Sequence, residues 1–131
     1  MAEGVLEQDE CPSICLQRRY RGRIAPTPSG RMHLGHARTF WVAQSRARER
    51  SGLLLLRVDD LDYVRCRDPT YLRDIIQDLQ WFGIQWDWGP DSALGFGEFP
   101  EDLYYQSKRG EAYLQAWRML YEQGTAVLLY V

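Results

Sequence analysis

Leu53-Leu54-Leu55-Leu56-Arg57-Val58-Asp59-Asp60-Leu61-Asp62 is the stretch that decides how this chain folds. It opens on a continuous apolar run of strand length, without the alternation of a half-exposed strand. Such a run belongs to a strand covered on both faces, as in parallel sheets. The acids behind it end the strand. Parallel neighbours need helical crossovers, and the sequence supplies helix signals on either side. Upstream, residues 21–25 form a short strand candidate, closed by the rigid turn Pro26-Thr27-Pro28-Ser29-Gly30. A helix is expected over residues 35–50, with Ala37, Phe40, Trp41, Gln44 and Ala47 on one face. Gly52 fits just past its end, and Arg46, Arg48 and Arg50 suit the negative end of its dipole. Downstream, Asp68 reads as an N-cap and Pro69 as a first-turn residue. Leu72, Ile75, Ile76, Leu79 and Phe82 then give a helical stripe, which Gly83 stops. Residues 87–103 read as loop. A third helix is expected over residues 107–123, with Tyr113, Ala116, Trp117, Leu120 and Tyr121 as its apolar face and Gly124 behind it. Residues 126–131 are a last strand candidate. The order strand–helix–strand–helix–helix–strand predicts an α/β layer structure with parallel strands and flanking helices.

The remaining arithmetic fits one domain. The chain has 131 residues, 45% hydrophobic and 26% charged, an ordinary composition for a globular protein. No apolar stretch is long enough to span a membrane. Residues 1–18 are acidic, lack the basic start of a signal peptide, and read as a flexible leader. Cys11, Cys15 and Cys66 are an odd set without a disulfide framework, so a cytoplasmic location is expected. The net charge of −2 hides an asymmetry: residues 18–50 hold nine arginines against Glu49 alone. An anionic ligand or nucleic acid would complement that segment, although arginines on a helix's solvent face need no partner.

Open α/β sheets bind ligands at the carboxyl ends of their strands, and two such ends are unusual here. One is Ala25-Pro26-Thr27-Pro28-Ser29-Gly30-Arg31-Met32-His33-Leu34-Gly35-His36, running straight into a helix; the other is Asp59-Asp60-Leu61-Asp62. A parallel sheet would set them side by side. The free N–H groups and positive dipole of a helix start favour phosphate. Thr27 and Ser29 add hydroxyls, and Gly35 removes a side chain. His33 and His36 could hydrogen-bond charge that develops in a transition state. The same residues also fit a tight strand–helix turn with two capping histidines. The acids could take a ligand's ammonium group, a ribose hydroxyl or Mg²⁺, or simply cap and turn, the expected role of Asp62 and Asp68. Asp59 is the strongest candidate, because it directly follows the buried strand. Two histidines and a distant cysteine do not make a zinc site. Cys66 reads as a small half-buried residue, and Trp41, Trp81 and Trp117 read as core on helix faces.

These segments carry a resemblance. The string from Arg23 to Gly30 followed by His33-Leu34-Gly35-His36 resembles the opening R-F/I-A-P-S/T-P-S/T-G and the HIGH signature of bacterial class I glutamyl-tRNA synthetases. Arg57-Val58-Asp59-Asp60-Leu61-Asp62 resembles the family's R-x-E-D-x-D segment. Trp81-Phe82-Gly83-Ile84-Gln85-Trp86-Asp87 with Gly89-Pro90-Asp91 resembles its W-L/F-G-L/I-x-W/Y-D-x-G-P-D segment, and Gln106-Ser107-Lys108-Arg109 its Q-S-x-R. Thr27 and the Asp-Leu-Asp wording fit best with the glutamyl-Q tRNA(Asp) synthetases, short paralogues without an anticodon-binding domain.

The resemblance implies a Rossmann-type catalytic domain. It also implies ATP- and Mg²⁺-dependent activation of L-glutamate, and transfer of the glutamyl group to queuosine in tRNA(Asp). The alternatives are an ordinary glutamyl-tRNA synthetase that charges tRNA(Glu), and a non-catalytic module that binds glutamate or ATP. It further implies that Arg23, Ile24, Ala25, Pro26 and Thr27 line the glutamate site, with Arg23 facing the substrate carboxylate and Asp59 the α-ammonium. His33, Gly35 and His36 would then serve ATP. Asp59 departs from the family's Glu by one methylene. The family's zinc-binding insert is expected after Gly124, where the sequence instead reads Thr125-Ala126-Val127-Leu128-Leu129-Tyr130-Val131. No K-M-S-K-S-type motif is present, and Lys108 is the only lysine. Residues 19–131 are therefore expected to be roughly half of a catalytic domain, with little or no activity alone.

Overall fold

A computed structural model describes residues 20–125. The leader and the strand candidate at 126–131 lie outside the described residues. Two strands, β1 (Arg21–Ile24) and β2 (Leu53–Leu56), pair in parallel, with Arg21 opposite Leu53 and Ile24 opposite Leu56. The crossover between them is α1 (Leu34–Glu49). Next come α2 (Pro69–Trp81), two short 3-10 turns over Glu101–Tyr104 and Gln106–Arg109, and α3 (Gly110–Glu122).

The strand run is buried for the reason its composition predicts. Leu54 and Leu56 point into one cluster with Ile24, Phe40, Ala47, Ile75, Ile76, Leu79 and Ile84, supplied by β1, α1, α2 and the loop after it. Leu53 points the other way, into a second cluster with Trp88 and Tyr104. Each such apolar side chain contributes roughly 1.5–3 kcal/mol when removed from water. The backbone of β2 is satisfied on both edges. Toward β1, Leu53 N–H donates to the Tyr20 carbonyl at 2.8 Å. On the far edge, Asp87 N–H donates to the Leu54 carbonyl at 2.7 Å, and the Asp87 carboxylate accepts from Leu54 N–H at 2.7 Å. Leu56 N–H donates to the Trp88 carbonyl at 2.9 Å. Asp87 also receives two bonds from the Arg48 guanidinium, at 3.0 and 3.1 Å, which ties α1 to the same edge.

Helix boundaries fall within a residue or two of the sequence expectation at α1 and α2. Asp68 Oδ1 caps α2 by accepting from Thr70 N–H at 2.9 Å, and Gly83 stops it with φ +84°. Hydrogen bonds from Thr70 hold the Asp68 carboxyl below its ordinary range. Gln44, the polar residue on the apolar face of α1, is satisfied by Gly83 and Gln85 behind α2. The chain's end of α1 differs in detail. Ser51 takes the left-handed conformation, at φ 46°. Gly52 is needed for a different reason: a Cβ there would stand 2.4 Å from the Tyr20 carbonyl oxygen.

Two expectations are corrected. Trp41, Trp81 and Trp117 are not core; they are 48%, 87% and 37% exposed. The buried tryptophans are Trp86 and Trp88, in the loop that covers β2. Helical spacing places a residue on a face but does not supply a neighbour to bury it. The same reason applies to α3, where the expected apolar stripe is present and no described residue of the helix is buried. The helix begins with a 3-10 turn over Gln106–Arg109, so its α-helical part starts at Gly110 rather than at residue 107.

The Asp87 edge generates a prediction. Asp87→Ala strips the N–H of the buried Leu54 of its side-chain acceptor, and stability should fall by about 1–3 kcal/mol. Asp87→Asn keeps an acceptor oxygen and should lose less. Urea midpoints at constant slope measure both; equal midpoints for wild type and Asp87→Ala would remove the edge from the account.

Candidate active site

Parallel pairing carries the two unusual strand ends to the same place. Past β1 and β2 the ladder continues: Arg57 N–H donates to the Ile24 carbonyl at 2.9 Å, and Asp59 N–H to the Pro26 carbonyl at 3.0 Å. Beside this junction lies a cleft of about 530 Å³. Ala25, Pro26, Thr27 and Ser29 form its strand-end wall, and His36 and Phe40 line it from α1. Arg31 and Arg65 also line it. Neither arginine stood out in the sequence; Arg65 becomes visible only when the loop after β2 folds back over the turn.

The histidines form a reciprocal cap. His33 Nδ1 accepts from Gly35 N–H at 3.1 Å, and His36 Nδ1 accepts from His33 N–H at 3.3 Å. A nitrogen that accepts carries no proton, so each neutral ring bears its proton on Nε2 and remains a donor there. The ring centroids are 3.9 Å apart. Burial pushes the His36 imidazole below its ordinary value, and His33 beside it acts in the same direction. Gly35 is small because the His33 ring lies over it; a Cβ would approach that ring to 2.9 Å. The expectation of free N–H groups at the start of α1 is corrected. Gly35 N–H goes to the His33 ring, and His36 and Ala37 N–H go to the His33 carbonyl at 2.9 and 3.3 Å. Negative charge in the cleft must therefore be met largely by side chains.

The remaining candidates are distributed. Arg23 is exposed on the sheet face opposite Ile24. Ile24 is 1% exposed and a core residue, so its part is to set the strand rather than to touch a ligand with its side chain. His33 lines a neighbouring hollow with Trp81 and Phe82, and Gly35 lines a third with Arg38 and Arg46. Neither lines the His36 cleft. Asp59 is held by Arg57, with Nε to Oδ1 at 2.7 Å and NH2 to Oδ2 at 3.0 Å. Gln106 Nε2 adds a third bond to Oδ1 at 3.0 Å, and the Tyr113 hydroxyl fixes Gln106 in turn. A carboxylate has room for about four donors, which leaves Oδ2 able to take one more. Asp60 binds Ser107 N–H and Oγ at 2.8 and 2.6 Å, a structural role. Asp62 accepts from Arg65 N–H at 3.1 Å, a turn role, as expected.

Among the described residues no three His, Cys, Asp or Glu side chains converge on a point where a metal could sit. Their donor set does not fit a protein-built Mg²⁺ cage. Lys108 is committed to Asp102 and Glu101, at 3.1 and 3.5 Å, away from the cleft lining, and the Asp102 hydrogen bond holds its ammonium pKa above the usual value. Cys66 is half-buried, and burial pushes its thiol up. No helix among the described residues is long and apolar enough to cross a membrane.

Residues 19–130 match the family of class I tRNA synthetases (E and Q), catalytic domain. The glutamyl-Q tRNA(Asp) synthetase of Symbiobacterium thermophilum is 44% identical over 103 residues, 79% of this chain and 30% of that protein. Glutamate–tRNA ligase 2 of Caldicellulosiruptor saccharolyticus is 38% identical, over 81% of this chain and 21% of the relative. The crystal structure of a glutamate-tRNA synthetase from Elizabethkingia anophelis shares the fold with a TM-score of 0.69 and 31% identity, over 79% of this chain and 20% of that one. The chain thus spans less than a third of the length of these relatives. The family match takes in every residue of the cleft and of the Asp59 junction, and on that ground the chain belongs to the class I tRNA synthetases of the E and Q type.

Proposed function

We propose that this region forms the ATP- and glutamate-binding part of a glutamyl-Q tRNA(Asp) synthetase, with residues 19–131 contributing to its Rossmann-type catalytic domain. The observation that carries the reading is the cleft at the end of β1, which His36 lines together with Thr27 and Ser29 while its Nδ1 is occupied by His33 N–H, so that the neutral ring keeps Nε2–H as its donor. In the reaction a glutamate carboxylate oxygen attacks the α-phosphorus of ATP. A mixed anhydride forms, and the bond to pyrophosphate breaks. Negative charge grows on the phosphate oxygens, and a fixed imidazole N–H beside them would stabilise it. A neutral ring suits this task, because its Nδ1 must stay unprotonated to hold the cap. Asp59 would offer Oδ2 to the α-ammonium of glutamate, and Arg23 its guanidinium to the side-chain carboxylate. Mg²⁺ would enter with the phosphates of ATP, its usual manner of binding; none of these steps runs through it.

The glutamyl-Q branch is favoured by the relatives at 44% and 40% identity, both glutamyl-Q tRNA(Asp) synthetases. The second reading, charging of tRNA(Glu), is favoured by relatives at 38% and 39% that are glutamate–tRNA ligases. A protein of the relatives' length that carries this region decides between them. Glutamylation of queuosine-containing tRNA(Asp) is the expected result, and charging of tRNA(Glu) would install the second reading.

The cleft also sets a pH dependence. The His36 pKa is lower in the folded chain than the ordinary 6.5, so the unfolded chain binds more protons between the two values. This group's contribution, kept small because His36 is exposed to solvent, is complete above that ordinary value and is lost as pH falls through it toward the lower folded value. The urea midpoint should therefore drop between about pH 7.5 and about pH 5.5. His36→Gln, which does not titrate, should flatten the profile; an unchanged slope would assign the pH effect to other groups. Calorimetric titration of the chain tests binding. His36→Gln should weaken ATP about tenfold and Asp59→Asn should weaken L-glutamate about tenfold, the scale of a lost charge-assisted hydrogen bond. Unchanged affinities in folded variants would defeat both assignments.

A further inference from the structure

We infer that Arg31 and Arg65 form a phosphate clamp over the His36 cleft, and that its ligand is the polyphosphate of a nucleotide. The inference rests on reading the cleft as a nucleotide site, and it adds a residue from the loop after β2 to that site.

The argument begins with charge. Arg31 and Arg65 both line the cleft, and no carboxylate lines it with them. Arg31 has no ion-pair partner among the described residues. Arg65 has one carboxylate nearby, Asp62 Oδ2 at 3.9 Å from Nε, and both side chains are largely exposed, at 46% and 67%. The pair therefore leaves most of the arginine charge unmatched. Their planar donor forks match phosphate oxygens. The cap adds to this requirement. Because His33 already occupies the Gly35 and His36 N–H groups, α1 offers the ligand little of the usual backbone phosphate cradle. Two cations are the replacement the cleft contains.

Position supports the same conclusion. Arg65 N–H is anchored on Asp62 Oδ1 at 3.1 Å, and its guanidinium NH2 reaches Ser29 Oγ at 3.4 Å across the cleft mouth. Arg31 lines the cleft from a different segment, the turn that leads into α1. The two cations therefore come from separate segments and line one concavity, with Ser29, Thr27 and His36 as further donors. A cleft of about 530 Å³ is of the size that small ligands occupy. An RNA backbone would call instead for a strip of cations along an open surface.

The test is titration of the intact chain with inorganic triphosphate, with ATP and with a short single-stranded RNA. It is run on wild type, Arg31→Gln, Arg65→Gln and His36→Gln, with Arg118→Gln on α3 as the charge control. Circular dichroism checks that each variant is folded. Triphosphate should bind wild type, and Arg31→Gln and Arg65→Gln should each weaken it about tenfold, the scale of a charge-assisted contact. Arg118→Gln should stay within about twofold, the scale of a lost distant surface charge. The clamp is overturned if wild type does not bind triphosphate, if the clamp variants behave like Arg118→Gln, or if RNA binds more tightly than triphosphate and depends on the same arginines. The two readings fail differently. Clamp-dependent triphosphate binding with no gain for ATP and no effect of His36→Gln keeps the clamp and removes the activation reading. ATP binding that needs His36 and ignores Arg65 does the reverse.

Discussion

The backbone of β2 is taken up on both sides, and the rest of the structure depends on that. Leu54 and Leu56 are fully buried, so any unpaired N–H or carbonyl on them would cost about 1–3 kcal/mol. One edge is filled by β1. The other is filled by two residues of a loop, Asp87 and Trp88. Asp87 serves twice, through its own N–H and through its carboxylate, and the same carboxylate holds Arg48 of α1. A two-stranded sheet alone is marginal in water. Here the loop supplies the missing neighbour, and Trp88 brings apolar cover for Leu53 with it.

The functional geometry follows from the same pairing. A parallel register fixes which residues leave the two strands together, and it places Pro26 against Asp59. From that junction one path runs into α1 through His33 and His36. Another runs to Gln106 and Ser107 through Asp59 and Asp60. Val58 strengthens the second path, because its N–H meets the Tyr104 carbonyl and its carbonyl meets Gln106 N–H. The Q-S-K-R segment is therefore part of the junction that positions the acid, although it lies far from it in sequence.

Local signals were legible where the physics is local. The Asp68 cap, the Gly83 stop and the buried leucine run each follow from a few neighbouring residues, and the structure contains them. The capping alternative for His33 and His36 was also readable, since both partners sit within one turn. Other features depended on what lies opposite. The stripe on α3 has the right spacing, and nothing among the described residues covers it. Trp86 and Trp88 are buried from a loop, where no periodicity marks them. Arg65 reached the cleft through the fold-back of the loop after β2, which no window of sequence displays.

The α/β order, the parallel pairing and the two strand ends that carry polar chemistry are all legible in the amino-acid sequence. Strand length, caps and apolar periodicity are properties of short segments, and they need no knowledge of distant residues. Which side chains share the cleft, and that Gln106 and Ser107 meet Asp59 and Asp60, follow only from the fold. Those outcomes depend on distances between segments far apart in the chain, and hydrogen bonds form or fail over a few tenths of an ångström.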